Sequence, residues 1–233
     1  MSDISPVYAY LEKPSMVDYP KHFAAVFFTS GCNFTCGFCH NASLMGRKQV
    51  GLSWKKLETA CTKFKKDWVN GVVITGGEPT CADNLKELVH FFKTFGFAVK
   101  LDTNGSNPEL LAEIIPHVAY VAMDVKTGPS GYADLVGFPD LGKIKASVDL
   151  IKSNAQDYEF RTTVIETIHT DEQMDEVAEI IAGSKRYALQ AFIPRDELPE
   201  KHFRTVARTP AARLQELKNR LTGRAEEILL RGV

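Results

Sequence analysis

Three cysteines, Cys32, Cys36 and Cys39, follow the spacing CxxxCxxC along Cys32-Asn-Phe-Thr-Cys36-Gly-Phe-Cys39. Thiolates this close in a glycine-bearing loop can wrap one metal centre but cannot complete a cage of four. Structural zinc wants four closed ligands. His40 or His22 could be recruited as the fourth, yet no second half of a zinc motif is present. A four-iron cluster suits the pattern better, because three cysteines leave one iron open to a small molecule. Of the other two cysteines, Cys61 falls on the apolar stripe of a helix and reads as a small buried hydrophobe. Cys81 takes no role from the sequence. An odd total of five suits a disulfide scaffold poorly, so the thiols point to a soluble protein of a reducing cytoplasm.

The elements that must position the thiols alternate between strand and helix. Buried-strand runs are expected at 24–28, 71–75, 97–101, 118–123, 158–164 and 187–191, with a further short strand at 227–230. Leu57, Cys61, Phe64 and Trp68 recur at helical spacing and predict a helix over 53–69. Further helices are expected around Leu85, Leu88, Val89 and Phe92, and around Ile144, Val148 and Ile151. Asn107 followed by Pro108 supplies an N-cap and a first helical residue. Thr170 with Gln173 makes a capping box, and a last helix runs from Thr209-Pro210 to near Gly223. Six strands each followed by helix imply an α/β fold with a parallel sheet, either open and doubly wound or curled into part of a barrel.

Composition is consistent with this. The chain has 233 residues, 44% of them hydrophobic, and no linker or repeat divides it, so residues 1–233 read as a single domain. The net charge of -1 argues against nucleic acid or an anionic membrane as the main partner. Met1-Ser-Asp-Ile-Ser-Pro is not a secretory leader, and no run approaches the ~20 apolar residues of a membrane span. In parallel α/β folds the carboxyl ends of the strands share the face that holds the active site. Here those ends carry the cysteines, Gly76-Gly77-Glu78, Asp102-Thr103-Asn104, Asp124-Val125-Lys126, Arg161 and Gln190.

The cysteine loop, with Phe38 before its last cysteine, resembles the signature loop of the radical S-adenosylmethionine enzymes, and Gly76-Gly77-Glu78-Pro79 resembles that family's second motif. The resemblance implies a partial (β/α)6 TIM-like barrel, one 4Fe-4S cluster on Cys32, Cys36 and Cys39, and S-adenosylmethionine chelated to the open iron. Ser15-Met-Val-Asp-Tyr-Pro20, Cys39-His40-Asn41, Leu101-Asp-Thr-Asn-Gly105 and Met123-Asp-Val-Lys126 resemble the glycyl-radical-enzyme activases. Lys100–Glu109 and Tyr158–Thr163 are most similar to the activator of anaerobic ribonucleoside-triphosphate reductase. In that family a reduced cluster splits the S–C5′ bond, and the 5′-deoxyadenosyl radical takes hydrogen from one glycine of the partner enzyme. Flavodoxin or ferredoxin is implied as electron donor.

The same resemblance implies residue roles. Phe38 and His40 would lie against the cofactor, and Gly76, Gly77, Glu78 and Pro79 would hold its amine. Asp102, Thr103, Met123 and Asp124 resemble positions that gather a monovalent cation, with Asn104 beside them. Lys126 and Arg161 suit the cofactor carboxylate, ribose or substrate backbone. The plain alternatives are a loop salt bridge for Lys126, an interior ion pair for Arg161, and a cap on Asn104 or Gly105 for Asp102. Gln190 stands where some activases place a histidine and cannot titrate. No side chain in this set looks like a general acid or base, which fits chemistry that belongs to the cofactor. Two alternatives remain at this point: a small-molecule enzyme resembling 7-carboxy-7-deazaguanine synthase, and a non-enzymatic metal-binding protein. The charged segment from Pro194 to Pro210 reads as an ordinary connection, with a partner-binding loop as the alternative.

Overall fold

The computed structural model describes residues 3–46 and 48–233; Met1 and Ser2, on which the leader reading partly rests, lie outside them. Among these described residues eight strands form one sheet: β1 (Val7–Tyr10), β2 (Ala24–Thr29), β3 (Gly71–Gly76), β4 (Ala98–Thr103), β5 (Tyr120–Asp124), β6 (Tyr158–Val164), β7 (Ser184–Ala191) and β8 (Ala225–Arg231). The strands are hydrogen-bonded in chain order, β1 to β8. β1 runs antiparallel to β2, and every later pairing is parallel. A doubly wound sheet reverses its order at a switch point. This one never does, so successive crossovers wind one way, as in a barrel.

Among the described residues seven α-helices accompany the strands: α1 (Trp54–Lys66), α2 (Leu85–Thr94), α3 (Pro108–Ile114), α4 (Tyr132–Val136), α5 (Leu141–Asn154), α6 (Asp171–Ile181) and α7 (Ala211–Arg220). Their starts follow local chemistry. Ser53 caps α1 by accepting from the Lys56 amide, Asn107 caps α3 with Pro108 behind it, and Thr170 caps α6 by accepting from the Gln173 amide. Lys63, Lys65 and Lys66 in the last turn of α1 offset the negative end of its dipole. No helix among the described residues is long and apolar enough to cross a membrane.

Two expectations are corrected. β1 had no counterpart in the sequence reading, since four residues held by one antiparallel neighbour carry too little periodicity to declare themselves. The short strand at 227–230 is instead seven residues long and pairs with β7 from Ser184↔Ala225 to Gln190↔Arg231.

Alternation along the strands gives the sheet two unlike faces. Phe27, Ile74, Leu101, Val121, Phe160 and Leu189 are buried in the main core, together with Leu57, Phe92, Ile114, Ile144 and Val177 from the helices. The opposite face holds a small cluster of Tyr19, Ala24, Val26, Val73, Tyr120 and Ala122. Along β4 and β6 that face is charged: Lys100 and Glu159 are 2% and 0% exposed. The inner face thus buries charged side chains beside the strands that carry the site.

Candidate active site

The loop after β2 carries the three thiols, and the turn after β3 fixes it. The Gly77 amide donates to the Thr29 carbonyl at 3.0 Å, and the Glu78 amide to the Gly31 carbonyl at 2.8 Å. A Cβ on Gly76 would come within 2.3 Å of the Thr29 carbonyl oxygen, and one on Gly77 within 2.2 Å of that of Gly31. These glycines are required by the cysteine loop's own backbone, so the second motif is first a seat for the first. Asn41 donates to the Gly76 carbonyl at 3.0 Å, and His40 Nε2 lies 2.9 Å from the Ile193 carbonyl.

Glu78 is 1% exposed. Its carboxylate accepts from the Thr80 amide and hydroxyl at 3.0 and 2.7 Å, the Thr103 hydroxyl at 2.8 Å and the Asn104 amide at 2.6 Å. Burial pushes its pKa up while these donors draw it down. The side chain therefore knits the β3 turn to the β4 turn. Pro79 opens the short 3₁₀ turn behind Glu78. Asn104 donates to Asn33 at 3.0 Å and approaches the Cys32 sulfur at 3.9 Å, which also receives the Phe34 amide at 3.4 Å.

A ladder of alternating charge crosses the inner face. Lys100 Nζ meets Asp102 at 2.5 Å, and Arg161 reaches Asp102 at 3.3 Å and Asp124 at 2.8 Å. Lys126 closes on Asp124 at 2.8 Å. Burial alone would raise the Asp124 carboxyl, but Arg161 and Lys126 hold it well below the ordinary carboxylate range. Asp102 is lowered in the same way against its burial, by Arg161 and Lys100. The plain alternatives for Lys126 and Arg161 thus describe real contacts. Asp102 caps neither Asn104 nor Gly105, whose amides go to Glu78 and the Thr103 hydroxyl. Met123 is fully buried in the main core, away from the two acids.

Around these groups lies a cavity of about 410 Å³. It is lined by Cys32, Cys36, Cys39, Phe38, His40, Gly76, Gly77, Glu78, Asp102, Asn104, Asp124, Lys126, Arg161 and Gln190, all singled out from the sequence; Pro79 is not among its walls. Its other end is mostly apolar, with Leu11, Val26, Phe28 and Val73, and with Asp18 at the rim. Sequence reasoning missed Lys100, Glu159, His169 and the brace behind the cysteine loop. That brace is the segment expected to be a plain connection. The Glu200 amide donates to the Gly37 carbonyl at 3.0 Å, and buried Phe203 packs edge-on against Phe38 at 5.6 Å.

The donor set fits an iron–sulfur cluster. Burial pushes the Cys32 thiol up to about 12 and that of Cys36 up to about 11, while Lys126 lies close enough to draw both down. The Cys39 thiol is raised by burial as well. Free thiols here hold their protons, so loading a metal must expel them. A cation and amide donors aimed at sulfur suit thiolates that share a negatively charged cluster. Among the described residues no three His, Cys, Asp or Glu side chains gather around a single ion.

Comparison with known proteins agrees with this geometry. The model of the radical SAM superfamily matches residues 26–182, and the chain belongs to that family. Over 211 residues it is 34% identical to a Methanocaldococcus jannaschii protein named "Putative glycyl-radical enzyme activating enzyme", covering 87% of this chain and 86% of that one. Its fold is similar to Streptococcus suis SuiB bound to the precursor peptide SuiA, with a TM-score of 0.68 at 16% identity over 88% of this chain and 47% of that chain. It is also similar to a domain of pyruvate-formate lyase-activating enzyme from Bacteroides vulgatus, with a TM-score of 0.53 at 17% identity over 70% of this chain and 99% of that chain. The family implies a 4Fe-4S cluster and S-adenosylmethionine, and the residues around the cavity fit both.

Proposed function

We propose that this chain acts as one domain in a reducing cytoplasm to activate a glycyl-radical enzyme, and that its target is the anaerobic ribonucleoside-triphosphate reductase. The observation that carries the reading is the charge of the cavity. Asp18, Glu78, Asp102 and Asp124 line it against two cations, Lys126 and Arg161, and both cations are already paired with those acids. An acid-rich pocket accepts a cationic sulfonium and disfavours a polyanion. The apolar end suits a neutral stretch of polypeptide. Near full-length similarity to a protein named as an activating enzyme supports the class, and the Lys100–Glu109 stretch supports the particular target.

Cys32, Cys36 and Cys39 hold the cluster in this reading. When bound and reduced, the cluster and S-adenosylmethionine supply the 5′-deoxyadenosyl radical. Everything else falls to orientation and exclusion of water. The Gly76–Gly77 backbone faces the cofactor amine, Phe38 and His40 flank the cofactor, and Lys126 and Arg161 present positive charge to its carboxylate. A monovalent cation beside Asp102 and Asp124 would share their carboxylates with Lys100, Arg161 and Lys126. Gln190 contributes hydrogen bonds without titrating. Electrons come from flavodoxin or ferredoxin.

A small-molecule reading akin to 7-carboxy-7-deazaguanine synthase is less well supported. Groups suited to magnesium would follow the third cysteine, whereas here His40 and Asn41 are committed to backbone carbonyls. The test is anaerobic reconstitution with iron and sulfide, followed by reductant, S-adenosylmethionine and the candidate reductase. A glycyl radical seen by electron paramagnetic resonance is the expected result. Cofactor cleavage without a radical on any co-encoded glycyl-radical enzyme removes the target. A stable zinc site with no cleavage removes the enzyme.

A further inference from the structure

The chain between β7 and α7 leaves the sheet and returns to the place it left. The Thr209 amide donates to the Phe192 carbonyl at 3.1 Å, and the Phe192 amide donates to the Thr209 hydroxyl at 3.2 Å. Residues 193–208 therefore form a closed Ω-loop, a kind of loop that packs on its own side chains and frequently serves a function. Leu198 and Phe203 are 1% and 3% exposed, and Arg204 Nε donates to the Leu198 carbonyl at 2.8 Å.

This loop packs on the last turn of the cysteine motif. The Glu200 amide donates to the Gly37 carbonyl at 3.0 Å, and the bare Cα of Gly37 leaves room for the Glu200 side chain. Phe203 meets the Phe38 ring at 5.6 Å with the planes at 71°. His40 Nε2 lies 2.9 Å from the Ile193 carbonyl, and its ring stacks on Phe192 at 6.2 Å. Phe192 in turn meets Phe203 at 6.3 Å. One loop with its hinge thus backs both Phe38 and His40. Phe38 lines the cavity and is 6% exposed, so its ring lies between the cavity and Phe203. An edge-to-face pair prefers one relative orientation of its rings, and Phe203 thereby sets the face that Phe38 presents.

Resting on the reading that Phe38 flanks the cofactor, we propose that Phe203 is a positioning residue, which orients Phe38 for the adenosine half of S-adenosylmethionine. The two halves of that molecule differ in chemistry. The amine, carboxylate and sulfonium are charged and suit the acids and cations of the cavity. Adenosine carries the aromatic ring system, which suits a neutral aromatic side chain. Phe203 serves that half alone. The segment after β7 then belongs to the cofactor site although none of residues 193–208 lines the cavity.

The test measures the binding of two ligands to the reconstituted, unreduced protein by anaerobic calorimetry. One is S-adenosylmethionine; the other is S-methylmethionine, which keeps the amine, carboxylate and sulfonium and lacks adenosine. Phe203→Ala should keep full iron and sulfide and bind S-adenosylmethionine about threefold to tenfold more weakly. Its affinity for S-methylmethionine should equal that of the wild type. Phe38→Ala should show the same selective loss, and adding Phe203→Ala to it should weaken binding no further, because the two rings act as one unit. Three results overturn the proposal: wild-type affinity in Phe203→Ala, an equal loss for both ligands, or an undiminished effect of Phe203→Ala in the Phe38→Ala background. Should Phe203→Ala hold less cluster, Phe203→Leu keeps an apolar side chain in place and is read with the same ligands, and wild-type affinity there overturns the proposal. Wild-type affinity in Phe38→Ala would instead overturn the reading on which the proposal rests.

Discussion

The Asn104 amide donates to the Glu78 carboxylate at 2.6 Å, and this bond joins the turn after β3 to the turn after β4 inside the protein. With the Thr80 and Thr103 donors it commits the glutamate of the Gly76-Gly77-Glu78 motif to holding the site's framework. An amine in the cavity is then left to meet mainly the backbone of that turn.

Glu78→Gln tests this. An amide nitrogen in place of one carboxylate oxygen sets donor against donor and leaves a buried group unsatisfied, at about 1–3 kcal/mol. Thermal unfolding of the iron-free protein should show it, at roughly 2–4 °C of Tm per kcal/mol for a chain of this size. An unchanged Tm with weakened S-adenosylmethionine binding would instead mean that the carboxylate meets the cofactor directly.

Arg161 bridges two acids, and its loss would strand both. Arg161→Gln should cost roughly 3–5 kcal/mol, as expected when one partner of a buried pair is removed. The acids also set a pH dependence. Asp102 and Asp124 titrate below the ordinary carboxylate value in the folded chain. Their contribution is therefore complete above that value and is lost as pH falls through the lower folded values. Urea midpoints of the wild type should decline below about pH 4, and in Arg161→Gln, where the folded values move up toward the unfolded one, that decline should be shallower. Identical acid limbs would detach Arg161 from the acids.

His169 supplies a second pH dependence, near neutrality. The Ile165 amide donates to its Nδ1 at 2.8 Å, so Nε2 carries the proton and donates to the Lys126 carbonyl at 2.8 Å. Burial keeps its pKa below 6.5. The unfolded chain then takes up the proton first. Stability is complete above about 6.5 and falls as pH drops through the folded value, by at most about 1.4 kcal/mol per pH unit. His169→Gln should flatten the change in urea midpoint between pH 7.5 and 5.5. If the slope stays the same, the effect belongs to another group, such as His40, whose pKa burial also lowers.

The cysteines divide cleanly in a last comparison. Cys36→Ala should abolish cluster assembly, read as iron and sulfide per chain. Cys61, fully buried on α1, should cost only about 1 kcal/mol as Cys61→Ala and assemble a normal cluster. Normal iron content in Cys36→Ala would mean that the ligands are misassigned.

The sequence was legible where local chemistry decides the outcome. Asn107 and Thr170 cap helices because their side chains satisfy free amides within three residues. The polar groups at the strand ends were legible too, since parallel strands bring their carboxyl ends to one face. Lys100 and Glu159 were not. Alternation along Val99-Lys-Leu-Asp and Tyr158-Glu-Phe-Arg declares a polar face, but only the curl of the whole sheet decides whether that face looks onto water or inward. Glu200 and Phe203 escaped for a related reason. They lie outside the strands and reach the cysteine loop through tertiary packing, for which period and propensity give no signal.

Strands that pair in chain order can join the sheet as they leave the ribosome. The cysteines are made early, yet Glu200 and Phe203, which close over their loop, follow about 160 residues later. At about 5–20 residues per second, that leaves roughly 10–30 s in which the thiols exist without their cover.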